Sequence, residues 1–245
     1  MGDLSLNIKR YFRFSADEVR SIIIGIIIMA FIFSFDKWGV EAFDLGYGLK
    51  NFFNAVLVIT LSFLVHLSVQ RIFALAGGFK VEYKNWLYGL LIGIALVIIS
   101  NGKIWFFAPG GLVVYMMAGH RLGSFRYGLN VWPVGVIGMV GPLSNLVLAL
   151  FFKVLFTIFP QNTLLYDAMA FNLWLAIFTL LPIPPLDGSK LFFASRVTYV
   201  FAFAGVVAMA AALFFLGVFL SFIIGLIVGV ICWLSYAWLF ERAIY

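Results

Sequence analysis

The chain has 245 residues, of which 64% are hydrophobic, 19% are aromatic and only 11% are charged. A soluble domain carries about 25% charged residues, so this composition excludes a soluble globular protein and indicates an integral membrane protein. The net charge of +6 comes from basic residues dispersed between apolar segments, which favours a membrane topology over a nucleic-acid partner. The single cysteine, Cys232, excludes an intramolecular disulfide bond.

The N-terminal residues 1–20 mix apolar and basic side chains, a pattern typical of an amphipathic segment in the membrane interface. Ser15 to Glu18 read S-A-D-E, which has the form of a capping box and predicts that the first long helix begins there. No small-residue cleavage site follows the next apolar run, so we interpret 21–35 as an uncleaved first span.

Further apolar segments follow at roughly 52–76, 87–100, 104–119, 133–152, 168–186, 198–216 and 218–240. The second and third are short for a bilayer that needs about 20 residues per helix. They form either two full crossings or one re-entrant hairpin at 87–119. The last apolar stretch is too long for a single span, and we expect a break near Gly217.

These segments predict an all-α polytopic bundle with six to eight apolar passes. We divide it into an interfacial N-terminus at 1–20, a transmembrane core at 21–196 and a C-terminal transmembrane hairpin at 197–245. With a cytoplasmic N-terminus, all but four of the 16 basic residues fall on the cytoplasmic side. The four outside are Lys37, Lys50, Lys103 and Lys153. This bias predicts a multi-pass protein of the plasma membrane with its N-terminus in the cytoplasm.

One of the two histidines, His66, lies in an apolar segment that reads H-L-S-V-Q, ending at Gln70. Residues at positions i and i+4 share one face of a helix. The spacing is that of the zinc motif H-E-x-x-H, in which two histidines bind the metal and the glutamate activates water. Here Leu67 stands at the glutamate position and Gln70 at the second histidine position.

Two further motifs follow along the chain. The first is G-P-L-S-N at 141–145, and the second is L-P-I-P-P-L-D-G at 181–188, where prolines interrupt a helix. Together with H-L-S-V-Q, this ordered set resembles the site-2 protease family, the intramembrane zinc metalloproteases grouped as M50. The stretches A-G-G-F-K-V-E-Y-K-N-W and F-F-A-P-G-G resemble a loop and a turn of its archaeal branch. The resemblance extends over roughly 15–196 and implies a site-2 protease-like core.

By position, the resemblance implies that His66 is the first zinc ligand and Asp187 the third. Asp187 should then lie near His66 and Gln70, despite the long separation in sequence. His120 matches no ligand of the family, and its surroundings are typical of a cytoplasmic loop.

The resemblance also implies a substrate cleft, which Asn145 faces and which the segment from Pro182 to Gly188, with Pro184, lines. The chain departs from the family at the catalytic positions. A catalytic zinc typically needs three protein ligands and an open position for water, and Gln70 offers only a neutral amide. Leu67 cannot move a proton, a role worth roughly 10²–10⁴-fold in rate. We therefore predict a pseudoprotease without a cofactor that binds a transmembrane client helix within the lipid bilayer.

Three alternatives stay open from the residues alone. An active metalloprotease would use zinc held by His66, Asp187 and a third ligand not yet identified. A transporter would line a polar path with these two residues, Gln70 and Asn145, although the chain has no internal repeat of the kind common in transporters. In a purely structural role, His66 is hydrogen-bonded within the bundle, Asp187 caps a helix, and Asn145 repairs the backbone opened by Pro142.

Overall fold

The computed structural model describes residues 4–39, 42–116 and 131–241, and the chain forms two compact units, Met1–Leu129 and Asn130–Tyr245. The described residues are mostly helical, with nine α-helices, a final π-helical turn and two short strands. Four of the helices are long and apolar enough to cross a bilayer, as expected for a multi-pass membrane protein.

The first unit is built around two long helices and a two-stranded sheet. Its elements are α1 (Leu4–Tyr11), α2 (Ala16–Ser34), α3 (Leu45–Ala76), β1 (Phe79–Asn85), α4 (Leu87–Ile99) and β2 (Gly110–Met116). The predicted capping box is confirmed, because the side chain of Ser15 accepts from the backbone N–H of Glu18 and the carboxylate of Glu18 accepts from the backbone N–H of Ser15. This reciprocal pair satisfies two donors of the first turn and starts α2.

A buried ion pair joins the N-terminal segment to α2, α3 and β1. Arg71 Nη2 lies 2.5 Å from Glu18 Oε1, and the two side chains are only 3% and 4% exposed. The same carboxylate oxygen accepts from the backbone N–H of Tyr83 at 2.8 Å. Arg71 also donates to the backbone carbonyl of Arg13, and its guanidinium lies 4.2 Å from the ring centroid of Phe14. Four segments of the chain therefore meet at this one ion pair.

The segment between the two strands is a hairpin that leaves the sheet as α4 and returns without regular secondary structure. β1 and β2 pair in antiparallel register, and the pair Asn85↔Gly110 closes the ladder where α4 begins. The backbone N–H of Trp86 donates to the carbonyl of Pro109 at 3.0 Å, one residue further along. The chain therefore enters and leaves this hairpin at the same end.

Two glycines of α4 allow the returning chain to pack directly on the helix. A Cβ added at Gly89 would lie 2.6 Å from the carbonyl oxygen of Ala108, and one added at Gly93 would lie 2.5 Å from that of Phe106. Since real Cβ atoms do not approach so closely, larger residues would push the two arms apart.

The all-α prediction was wrong for the segment 104–119, because its residues 110–116 form β2. A short apolar run is compatible with either a strand or a buried helix, and periodicity does not distinguish the two. Of the two alternatives for 87–119, the described residues form a hairpin and not two helical crossings. His120, with its predicted cytoplasmic loop, lies outside the described residues.

The second unit is a set of helices of unequal length. Its elements are α5 (Trp132–Ile158), α6 (Thr163–Thr179), α7 (Asp187–Ala194), α8 (Arg196–Phe215), α9 (Val218–Tyr236) and a π-helical turn (Ala237–Glu241). The predicted break near Gly217 is confirmed, since α8 ends two residues before it and α9 begins directly after it. α6 ends before the prolines, which cannot continue a helix.

α8 and α9 pack closely through glycines. A Cβ added at Gly225 would lie 2.7 Å from Cβ of Met209, and one added at Gly229 would lie 3.0 Å from the carbonyl oxygen of Phe201. The order of these contacts makes the two helices antiparallel, and small residues let their backbones approach, as is common in membrane bundles.

The candidate spans among the described residues are α3, α5, α8 and α9 with its continuation to Phe240. They are fewer than the six to eight predicted passes. α4 and α6 have 13 and 17 residues, which is short for a crossing. α2, which contains most of the predicted first span 21–35, is not among these four helices. Its first turn carries Asp17 and Glu18, followed by Arg20. The division at residues 20 and 196 and the cytoplasmic N-terminus stay predictions.

We expect Glu18→Gln to lower the free energy of unfolding by about 3–5 kcal/mol, because it leaves the Arg71 guanidinium buried without its counter-charge. The measurement is unfolding of the purified chain in mixed micelles of increasing SDS content, followed by tryptophan fluorescence.

The matched control is Glu82→Gln, which removes the partner of Lys80 from a partly exposed pair at 3.1 Å. Exposed pairs contribute about 0–1 kcal/mol, so this variant should unfold almost as the parent does. Equal destabilisation by both variants would contradict the importance assigned to the buried pair.

Candidate functional site

The histidine motif lies on α3, close to the C-terminal end of the longest helix among the described residues. α3 has 32 residues and is about 48 Å long, more than the roughly 30 Å hydrocarbon core of a bilayer. His66 and Gln70 occupy adjacent turns of α3 and are 2% and 0% exposed, and Leu67 between them is 2% exposed. The helix therefore presents the three motif positions to the protein interior.

An aromatic contact connects the motif to the sheet of the first unit. The ring centroids of Phe63 and His66 are 6.3 Å apart, and Phe63 makes an edge contact with Tyr83 of β1 at 5.2 Å. The hydroxyl of Tyr83 lies 2.8 Å from both Asn85 Oδ1 and the carbonyl oxygen of Pro109. The sheet thus supports the helix turn that carries the histidine.

Gln70 carries a polar group that the described structure does not use. Neither its Oε1 nor its Nε2 has a hydrogen-bond partner among the described residues, although both atoms are buried. A buried polar group left unpaired costs about 1–3 kcal/mol. Packing alone does not account for a glutamine at this position.

The other predicted site residues lie in the second unit. Asn145 is fully buried on α5, within the turn that follows Pro142. Pro182 and Pro184 are exposed in the irregular segment between α6 and α7, where the backbone N–H of Leu186 donates to the carbonyl of Ile183 at 2.8 Å. This segment offers exposed backbone at the end of an apolar helix.

Asp187 is the first residue of α7 and is buried against a lysine of the same helix. Lys190 Nζ lies 3.2 Å from Asp187 Oδ1 and donates to the carbonyl oxygen of Pro185 at 3.1 Å. The N-cap of α7 is Leu186, which makes no side-chain cap bond. Asp187 is therefore not the helix cap that the sequence allowed, and its carboxylate has an internal cation.

α7 is held close to α5 by two glycines of α5. A Cβ added at Gly138 would lie 2.6 Å from the backbone carbonyl oxygen of Asp187, and one added at Gly135 would lie 2.5 Å from Cβ of Ala194. The backbone that carries Asp187 is consequently fixed on α5.

The sequence reading missed Lys190 as a partner of Asp187. A signal was available, because an acidic and a basic residue three positions apart on a helix are neighbours on its surface. Among the described residues there is no group of three His, Cys, Asp or Glu side chains that could hold a metal ion. The donors present do not fit zinc, since Gln70 offers a neutral amide where the resemblance requires an imidazole.

Comparison with known proteins gives one informative relationship. Over 183 residues the chain is 32% identical to a protein of Methanocaldococcus jannaschii named "putative zinc metalloprotease", and the match covers 73% of this chain and 85% of that protein. No protein-family model matches the chain. No solved structure matches it either.

We expect Gln70→Met to raise the free energy of unfolding by about 1–2 kcal/mol. Methionine has a similar shape and removes a buried amide that has no partner among the described residues. SDS unfolding of the two proteins measures the difference.

Leu67→Ala on the same helix is the control, and it should destabilise the chain by about 2–5 kcal/mol through the cavity that it leaves. A loss of stability in Gln70→Met would mean that the amide makes a structural hydrogen bond, and it would refute our description of this residue.

Proposed function

The chain belongs to the family of this Methanocaldococcus jannaschii protein, and we propose that it is a site-2 protease-type member without proteolytic activity. In this proposal it retains the family's cleft and uses it to bind a transmembrane helix of a client protein. The observation that carries the proposal is the chemistry of α3, where a buried leucine and a buried glutamine follow His66 at the positions of a general base and a metal ligand.

The loss of two functional groups together is what favours inactivity. Another side chain can replace a single missing ligand, because zinc accepts several kinds of donor. Leu67, however, is an apolar residue buried in the interior, and it can neither take a proton from water nor deliver one to a leaving amine. An enzyme that lacks both the second imidazole and the base has no evident route to peptide hydrolysis.

The pairing of Asp187 with Lys190 supports the same conclusion. A carboxylate buried in a membrane protein needs a counter-charge, and in a metalloprotease the metal ion supplies it. Here the ammonium of Lys190 supplies a positive charge at 3.2 Å, from the next turn of the same helix. The carboxylate can therefore persist in its buried position without zinc.

Client binding is supported by the exposed, irregular backbone between α6 and α7. The exposed prolines before α7 leave an irregular backbone, and such backbone is tolerated within a membrane only where protein or water satisfies it. A client helix that is partly unwound carries the complementary N–H and C=O groups.

We expect the purified chain to bind less than a stoichiometric amount of zinc at neutral pH, because it offers one imidazole in place of two. Elemental analysis of the protein after equilibration with zinc and gel filtration measures the content. His66→Ala is the control, and it should leave the zinc content unchanged. One zinc per chain that disappears in His66→Ala would overturn the proposal in favour of an active metalloprotease.

We expect the parent chain to leave a tagged transmembrane peptide intact, and we expect Gln70→His and Leu67→Glu to fail as single changes. Gln70→His restores a ligand without a base, and Leu67→Glu adds a costly carboxylate without a metal. Only the double variant combines both groups, and only it should cleave. The assay is gel analysis of the peptide after reconstitution in vesicles.

A photoreactive group on the same peptide tests the binding part of the proposal. The parent should become crosslinked to the intact peptide, and Ile183→Arg in the exposed proline segment should reduce the yield several-fold. The matched control is Phe215→Arg, at an exposed position of α8. This variant should leave the crosslinking yield unchanged. Cleavage by the parent that a chelator abolishes would refute inactivity. Solute flux without any crosslinking would favour a transporter.

A further inference from the structure

The N-terminal segment 4–20 presents a basic surface that the proposed site does not use. Four basic side chains are exposed on it: Lys9, Arg10, Arg13 and Arg20. Their side chains form no ion pair with any of the described residues. Four positive charges so close together repel one another unless an anion lies nearby.

The acidic residues of the segment do not balance this charge. Glu18 is buried, and its charge is already compensated by Arg71. Only Asp17 remains as an exposed acidic side chain in the segment. The buried ion pair therefore leaves the exposed surface strongly basic.

The contacts of α1 place this basic surface beside the C-terminal end of the candidate span α3. The side-chain amide of Asn7 donates to the carbonyl oxygen of Leu75 at 3.4 Å, in the last turn of the candidate span α3. Arg71, one turn earlier, holds the chain after α1 through the carbonyl of Arg13 and the ring of Phe14. Because α3 is longer than the hydrocarbon core, at least one of its ends extends beyond it, and we infer that its last turn lies at the depth of the lipid headgroups.

Exposed apolar side chains stand on the same helix as the basic ones. Leu4 and Leu6 of α1 are 39% and 57% exposed, and Lys9 and Arg10 occupy its last turn. A helix with exposed leucines and cations lies in an interface, with the leucines among the acyl chains and the cations among phosphates. An acidic protein segment would satisfy the charges and leave the leucines in water.

We propose that residues 4–20 bind anionic phospholipid headgroups of the surrounding bilayer. The guanidinium groups of Arg10, Arg13 and Arg20 match the phosphate group in geometry as well as in charge, and Lys9 adds a further cation. Anionic lipids then hold α1 against the membrane at the end of α3. This role is independent of proteolysis and of client binding.

Native mass spectrometry of the full-length chain, released from detergent with added phosphatidylglycerol or phosphatidylcholine of the same acyl chains, tests the proposal. The parent should bind phosphatidylglycerol more tightly than phosphatidylcholine. The triple variant Lys9→Gln, Arg10→Gln, Arg20→Gln should reduce this preference by about 100-fold, since each of the three charges contributes roughly five-fold in affinity. The matched control Lys50→Gln, Lys103→Gln, Lys153→Gln removes the same charge elsewhere and should retain the preference.

A second variant separates charge from folding. Arg10→Lys, Arg13→Lys, Arg20→Lys keeps every charge and should retain most of the preference even if the triple glutamine variant is poorly folded. Equal affinity of the parent for the two lipids would overturn the proposal, as would equal losses in the glutamine variant and its control. Tighter binding of a soluble polyglutamate peptide than of phosphatidylglycerol would overturn it in favour of an acidic protein partner.

Discussion

The first unit depends on a single charged group, the guanidinium of Arg71. It reaches Glu18 on α2 and the backbone of Arg13, and Glu18 in turn accepts from the backbone N–H of Tyr83 on β1. An arginine on a helix that crosses the bilayer requires a compensating anion, and the anion comes from the first turn of α2. This ion pair fixes three features relative to α3: the start of α2, the path of the N-terminal segment and the position of β1. His66 lies little more than one turn away from this group.

The candidate residues of each unit differ from those of a metalloprotease in related ways. On α3 an apolar residue and a neutral amide stand where a base and a ligand are expected. On α7 a lysine supplies the charge that a buried carboxylate needs. The carboxylate on α7 therefore does not need a metal ion for charge compensation, whereas Gln70 on α3 retains a buried amide with no partner among the described residues.

What could be predicted from the sequence was local. The capping box at Ser15 and the break at Gly217 involve neighbouring residues, whose effects do not depend on the rest of the fold. The i, i+4 pairing on α3 follows from helical geometry alone. The ion pair of Glu18 with Arg71 joins residues 53 positions apart, and β2 acquires its structure from pairing with β1. The sequence of each segment taken alone indicates neither the ion pair nor the strand, so neither was predicted.

The closed hairpin between β1 and β2 has a consequence for the way the protein enters the membrane. α4 has only 13 residues, so it makes a weak signal for insertion while it is being synthesised. The residue before it, Trp86, donates its backbone N–H to the carbonyl of Pro109 on the returning chain. Only after β2 has been made can the ladder with β1 form and hold the two ends of the segment 87–109 together. We therefore expect this part of the chain to be integrated late, after α3 is already in place, and from the side on which both of its ends remain.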